Sequence, residues 1–330
     1  MKVLFIGGTG VISTACTYLA IERGFDLYLL TRGQSSRKVP REVHLLKGDI
    51  RNDAETKQLL TAHSFDVVVN WIAYMPDHIE ADLRLFGGKI AQYIFISSAS
   101  AYQIPPVNFP LVESTPLHNP WWAYSRAKIA CEERLMHAYR QENFPATIIR
   151  PSHTYDQTKI VIHGGYTTID RMRRGKAVVV HGDGTSLWTL THSRDFAKGF
   201  VGLMGNPHAI GEAFHITSDE ILSWNQIYEI IAGCAGCTAN VVHIPSEFIA
   251  QIDPDWGASL LGDKACCKIF DNSKIKRIVP EFVCSTSFSR GAEECIAWYD
   301  AEASRRKLDA SLNRLYDKLI NVFSTLAQAG

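Results

Sequence analysis

The chain has 330 residues, 46% of them hydrophobic, and its 34 lysines and arginines balance 34 aspartates and glutamates. That length suits one large domain with an appended lobe. The absence of a basic excess makes a nucleic-acid partner unlikely, and no apolar run approaches the roughly 20 residues that span a bilayer. The N-terminal apolar stretch stops at Ile6, too short for the core of a signal peptide, so a cytoplasmic protein is expected. Eight scattered cysteines suit reduced thiols. Cys234, Cys237, Cys266 and Cys267 make a poor zinc set, because two are adjacent and two close an apolar helix; no metal is expected.

In chain order, Val3 to Ile6 reads as a buried strand that ends in glycines. Residues 11 to 22 carry helical periodicity. Leu27 to Leu30 and Val43 to Leu46 read as strands, 53 to 62 as a helix, and Val67 to Trp71 as a fourth strand. Tyr93 to Ser97 is a fifth strand, 122 to 142 a long helix, and Ala146 to Ile149 a sixth strand. Strands alternating with helices at this spacing predict an α/β fold, a doubly wound parallel sheet of the Rossmann type. The second half is less regular. His163 to Gly175 reads as a loop and helix, Val178 to Val180 and Phe214 to Ile216 as strands, and 224 to 233, 246 to 252 and 287 to 324 as helices. The expected division is a Rossmann domain over 1–160, with segments around 178–216 returning to it. Residues 161–330 mainly form a smaller mixed substrate lobe.

Three places carry chemistry. The first is Gly7-Gly8-Thr9-Gly10-Val11-Ile12-Ser13, between the first strand and its helix. Glycines here permit a tight turn and a close approach of backbone to a pyrophosphate at the helix N-terminus. The third position of the fingerprint is Ser13, where glycine or alanine is usual. The second place follows strand two. The acid that would hold a ribose 2′-hydroxyl is missing, and Arg32, Arg37 and Lys38 stand in the segment. Arg32 is suited to a 2′-phosphate, which favours NADP over NAD. Asp49 and Ile50, after strand three, are expected near the adenine. The third place combines Tyr124 and Lys128, one helical turn apart, with Ser98 at the end of strand five. The i, i+4 spacing puts tyrosine and lysine on one face, where the ammonium can lower the phenol's pKa.

These motifs, with Asp66 to Ala73, Ser97-Ser98 to Tyr102, Arg150-Pro151 and His192 to Asp195, recur in order over about the first two hundred residues. The chain resembles the extended short-chain dehydrogenase/reductases, in their sugar-nucleotide epimerase/dehydratase group. The resemblance implies Tyr124 as acid/base, Lys128 on the nicotinamide ribose and Ser98 on the substrate hydroxyl. It implies Trp71, Ile72, Ala73 and Pro151 along the cofactor. A sugar would then be oxidised at one hydroxyl to a keto intermediate. Ser100 and His153 are candidates to touch the substrate.

Departures narrow the reading. Ala99-Ser100 replace the Asp-Glu pair of 4,6-dehydratases, which disfavours dehydration. Trp188 and Leu261 stand where the family clamps a nucleotide diphosphate with arginines. Arg171, Arg173 and Arg174 could substitute, but read more readily as a solvated face. The substrate is therefore expected to be sugar-like, with or without a diphosphate. Thr31-Arg32-Gly33 and a short fourth crossover, Tyr74 to Ala91, are similar to the chloroplast stem-loop-binding branch of the family. Two other functions remain open: an NADPH-dependent carbonyl reductase, and a non-enzymatic RNA-associated protein. A homodimer is possible.

Overall fold

The computed structural model describes residues 1–329. The first half alternates β1 (Lys2–Ile6), α1 (Val11–Glu22), β2 (Asp26–Thr31), β3 (His44–Lys47), α2 (Asp53–Leu60), β4 (Val67–Asn70), α3 (Pro76–Phe86), β5 (Gln92–Ile96), α4 (Ala123–Glu142) and β6 (Ala146–Pro151). Then come β7 (His153–Tyr155), α5 (Tyr166–Arg173), β8 (Val178–His181), β9 (Leu187–Trp188), β10 (Leu190–His192), α6 (Ser193–Leu203) and β11 (Ala213–Ile216). The chain finishes with β12 (Leu222–Ser223), α7 (Trp224–Cys234), β13 (Val241–Ile244), α8 (Ser246–Ile252), α9 (Pro254–Ser259), α10 (Ser273–Ile278), α11 (Phe288–Ala301) and α12 (Ala310–Ala329).

Seven strands make one parallel sheet in the order β11-β6-β5-β4-β1-β2-β3. Its central strands are apolar without alternation because both faces are covered. Val3, Phe5, Leu27, Leu29, Val67 and Val69 pack beneath α1 and α6. Leu4, Ile6, Val68, Tyr93 and Phe95 pack on the opposite face with Cys131 and Leu135 of α4. Strand order reverses between β1 and β4, which opens a crevice at their carboxyl ends. Local chemistry sets the helix ends. Asn52 caps α2 by accepting from the Glu55 N–H, and Asn143 closes α4 in the left-handed region at φ 54°.

The second half departs from expectation in three ways. β11 does return to the main sheet beside β6, but β8 does not; it pairs in parallel with β13. Val178 and Val180 face one lobe core, around Trp188, Trp224 and Phe288, while Val179 faces another, around Trp256 and Tyr316. Both sides of β8 are thus committed within the lobe. The stretch 287–324 is two helices, broken after Ala301 and restarted where Asp309 accepts from the N–H groups of Ser311 and Leu312. The apolar stripe of α12 (Leu312, Tyr316, Leu319) is buried against Ile244, Ile249 and Trp256. Finally, the basic run at the end of α5 is a solvated face only at Arg174, which is exposed and pairs with Asp170 one turn earlier. Arg171 is 2% exposed and reaches Asn313 and Asp317 of α12, and Arg173 grips Asp300 of α11. These arginines tie helices together and are unavailable to a diphosphate. All eight cysteines are unpaired. No helix among the described residues is long and apolar enough to cross a membrane.

Candidate active site

The turn from β1 into α1 forms the floor of the crevice. Gly7 and Gly8 adopt φ of 99° and 103°. A Cβ on Gly8 would lie 2.8 Å from Leu29, and one on Gly7 3.2 Å from Trp71. Only glycine fits, and the backbone is left bare. No side chain caps α1, so its first N–H groups face outward as an anion site. The unusual Ser13 has a local use: its buried hydroxyl accepts from the Gly10 N–H at 2.8 Å.

Three connected hollows run along the crevice. The first, about 570 Å³, is lined by Thr31, Arg32, Asp49, Ile50, Arg51 and Ile72. The second, about 600 Å³, passes over Gly7 to Ser13, then Trp71, Ser97, Tyr124, Lys128 and Pro151. They share Gly7, Thr9, Ser35, Ile72 and Tyr74. The third, about 300 Å³, contains Ser98, Ser100, Tyr124, His153 and Trp188, and joins the second at Tyr124, Pro151, Thr154 and Lys159. A nicotinamide dinucleotide fits the first two. They offer a cradle that a Cβ would fill, free amides for a pyrophosphate, and a buried Ser97 hydroxyl with no partner of its own.

Gly7, Thr9, Gly10, Val11, Ile12, Arg32, Asp49, Ile50, Trp71, Ile72, Tyr124, Lys128 and Pro151 all line these two hollows. Ala73 does not. It is fully buried, and only its carbonyl matters, accepting from Lys128 Nζ at 2.7 Å. A second carbonyl, Ile96, holds the same ammonium at 2.7 Å. Arg37 is likewise withdrawn from the cation cluster after β2, because it binds Asp156 and Thr158 at 2.5 Å each. Arg32 stays exposed at the rim. Arg51, unnoticed in the sequence, donates to the Ile72 carbonyl.

The reactive groups meet where the second and third hollows join. Tyr124 stands in the first turn of α4, and Lys128 Nζ lies 5.7 Å from its ring centre. Lys128 is 1% exposed, and burial lowers its pKa to about 8. Burial, followed by the Tyr74 phenol, pushes Tyr124 up to about 12, while a hydrogen bond with Ser98 pulls it back. Burial therefore dominates the phenol, and the group that offsets it is Ser98, not the lysine expected from the spacing. Ser98 Oγ contacts Ser100 Oγ at 2.9 Å, and Ser125 Oγ donates to Ser100 at 2.7 Å. This chain of hydroxyls fixes the end of β5 against α4. His153 is held neutral: burial and the nearby Lys264 and Lys159 push it down to about 3.

Lys159, Asp263, Lys264, Lys268, Trp122 and Phe270 also line the third hollow, and none stood out in the sequence. Lys264 closes a π-helical turn, Leu260–Lys264, that no local pattern announces. Trp188, in the place of a clamping arginine, instead donates its indole N–H to the carbonyls of Lys264 and Cys266 at 3.1 Å each. No group of three or more potential metal ligands occurs among the described residues.

Comparison with known proteins agrees with this geometry. The NAD dependent epimerase/dehydratase family matches residues 3–217. The chain is 23% identical over 287 residues to 2′-dehydrokanamycin reductase of Streptomyces kanamyceticus, covering 86% of this chain and 80% of that protein. It is 26% identical over 271 residues to the chloroplast stem-loop binding protein of 41 kDa b of Arabidopsis thaliana, covering 75% and 67%. Among solved structures, an epimerase of Methanothermobacter thermautotrophicus superposes with a TM-score of 0.75 at 19% identity, over 92% of this chain and 94% of that one. A UDP-glucose 4-epimerase of Thermotoga maritima gives 0.74 at 19%, over 91% and 99%.

Proposed function

Because the chain belongs to the NAD dependent epimerase/dehydratase family, we propose that it oxidises one hydroxyl of a sugar or sugar derivative to a keto intermediate, with Tyr124 as acid/base. The observation that carries this reading is the meeting of Ser98, Tyr124 and Lys128 at the junction between the dinucleotide hollow and the third hollow. A nicotinamide dinucleotide held by the glycine turn and the first two hollows would supply the hydride acceptor.

The chain's own groups do the rest. Tyr124 Oη takes the proton of the substrate hydroxyl, and Ser98 Oγ orients that hydroxyl. Lys128, pinned by two carbonyls, keeps one N–H for a ribose hydroxyl and a fixed charge beside the phenol. Burial pushes the phenol up to about 12, so positive charge beside Tyr124 would favour the phenolate that accepts the proton. His153, neutral, serves as a hydrogen-bonding wall of the substrate cavity. Returning hydride to the opposite face would make the reaction an epimerisation; releasing the ketone would make it a dehydrogenation.

Tyr124→Phe tests the proposal. Sugar turnover should fall at least about 100-fold while dinucleotide affinity stays within a factor of two. A variant that keeps its activity would remove Tyr124 from the chemistry. A second reading, an NADPH-dependent reductase exchanging its cofactor each cycle, is favoured by the exposed Arg32 beside the first hollow.

A further inference from the structure

The third hollow has a charge pattern that the proposed reaction does not use. Lys159, Lys264 and Lys268 line it with a single carboxylate, Asp263, an excess of two positive charges. Lys268 is 1% exposed; its ammonium donates to the Ala99 carbonyl at 3.3 Å and stands 3.7 Å from Asp263. Lys264 Nζ stands 3.8 Å from the other oxygen of Asp263, beyond hydrogen-bond reach. It lies over the rings of Trp122 and Trp188, 5.5 and 5.9 Å from their centres. One Asp263 oxygen is buried without a hydrogen bond. Two lysines thus divide one carboxylate, and neither is satisfied by it. Lys159 is exposed, but Lys268 is buried and Lys264 largely so; burial lowers the pKa of both ammonium groups, and an anionic partner would offset that cost.

The walls point to what that is. Trp122 and Phe270, both half-buried, give apolar walls of the kind that pack on the C–H face of a sugar ring. The volume, about 300 Å³, is at the small end of ligand cavities. His153 adds no charge near neutral pH, because burial keeps it unprotonated. Of the arginines that could have held a diphosphate elsewhere, Arg171 is tied to α12 and Arg173 to α11, and Arg174 pairs with Asp170.

We infer that this cavity takes a compact sugar derivative bearing its own negative charge, a carboxylate or a phosphate, with Lys264 as the principal ligand and Lys268 and Lys159 beside it. This inference rests on the proposed sugar oxidation and names its substrate class. An amino sugar, being cationic, is repelled by the same lysines. A charge-assisted hydrogen bond in a partly buried site is strong enough to set a preference of about tenfold or more over the neutral sugar.

The test is calorimetric titration of the dinucleotide-loaded protein with a hexuronate, a hexose 6-phosphate, the parent hexose and the corresponding hexosamine, alongside turnover of each. One or both anionic sugars should bind at least about tenfold tighter than the hexose, and the hexosamine weakest. Whichever anion binds better identifies carboxylate or phosphate as the source. Lys264→Met should remove most of the preference, and Lys264→Gln provides the same test if the first variant folds poorly. Equal affinity for all four sugars, or a full preference retained in both variants, overturns the inference. If the neutral hexose is then oxidised as well as the acids, the sugar reaction stands and only this inference falls. If no sugar binds or reacts although the dinucleotide does, both fall together.

Discussion

Arg32 shows how a residue's meaning depends on what its neighbours are doing. Three cations after β2 suggest a pooled phosphate site, yet Arg37 is occupied by Asp156 and Thr158. Arg32 alone of the three lines the first hollow. We expect Arg32→Ala to weaken NADPH binding by about tenfold or more and to leave NADH nearly unchanged, as loss of an arginine–phosphate contact would do. Fluorescence titration of both cofactors measures it, and equal losses would show that Arg32 ignores the 2′-phosphate. Helical period puts Tyr124 and Lys128 on one face, and what made them legible was the company of Ser98, because strand ends gather at one edge of a parallel sheet. Lys264 and Lys268 were not, because a π-helical turn and a lobe loop bring them in.

At the scale of elements, β4, α3 and β5 are locked by a buried polar cluster that no motif announces. Asp82 of α3 accepts from Asn70 Nδ2 and from Tyr93 Oη, each at 2.5 Å. Asn70 Oδ1 in turn accepts from the Ile72 N–H at 2.9 Å, which sets the cofactor-lining stretch after β4. Burial raises the Asp82 carboxyl to about 6 despite both donors. The folded chain therefore holds this proton more tightly than the unfolded chain, where the carboxyl titrates near its ordinary value. Its contribution to stability is complete below about pH 4 and is lost as pH rises through about 6. Relative to Asp82→Asn, the natural protein should lose roughly 2–3 kcal/mol of stability between pH 4 and pH 7. Urea unfolding at the two pH values reads this difference, and a gap independent of pH would mean that Asp82 is not the titrating group. The sequence hides the cluster because an aspartate in a polar helix looks solvent-facing until β5 is packed against it.

For the whole molecule, the Arg37 contact is a clasp between two distant parts of the chain. It joins the loop after β2 to the Asp156–Thr158 turn that follows β7. Ser35 on one side and Thr154 and Lys159 on the other line the second hollow. Breaking the clasp with Arg37→Ala should speed dinucleotide release several-fold, because the rim loses a charge-assisted link and no cofactor contact. Stopped-flow displacement gives the rate, and an unchanged rate would show that the clasp does not limit exchange. The sequence by itself determined the parallel sheet, the glycine turn and the Ser98–Tyr124–Lys128 set, because period, turn chemistry and strand-end placement are local or follow from chain order. Only the tertiary structure decided that β8 serves the lobe, that Arg37, Arg171 and Arg173 are structural ties, and that the cavity beyond Tyr124 is cationic. Those outcomes depend on contacts between residues as many as 169 positions apart, such as Lys268 on Ala99, which no local spacing encodes.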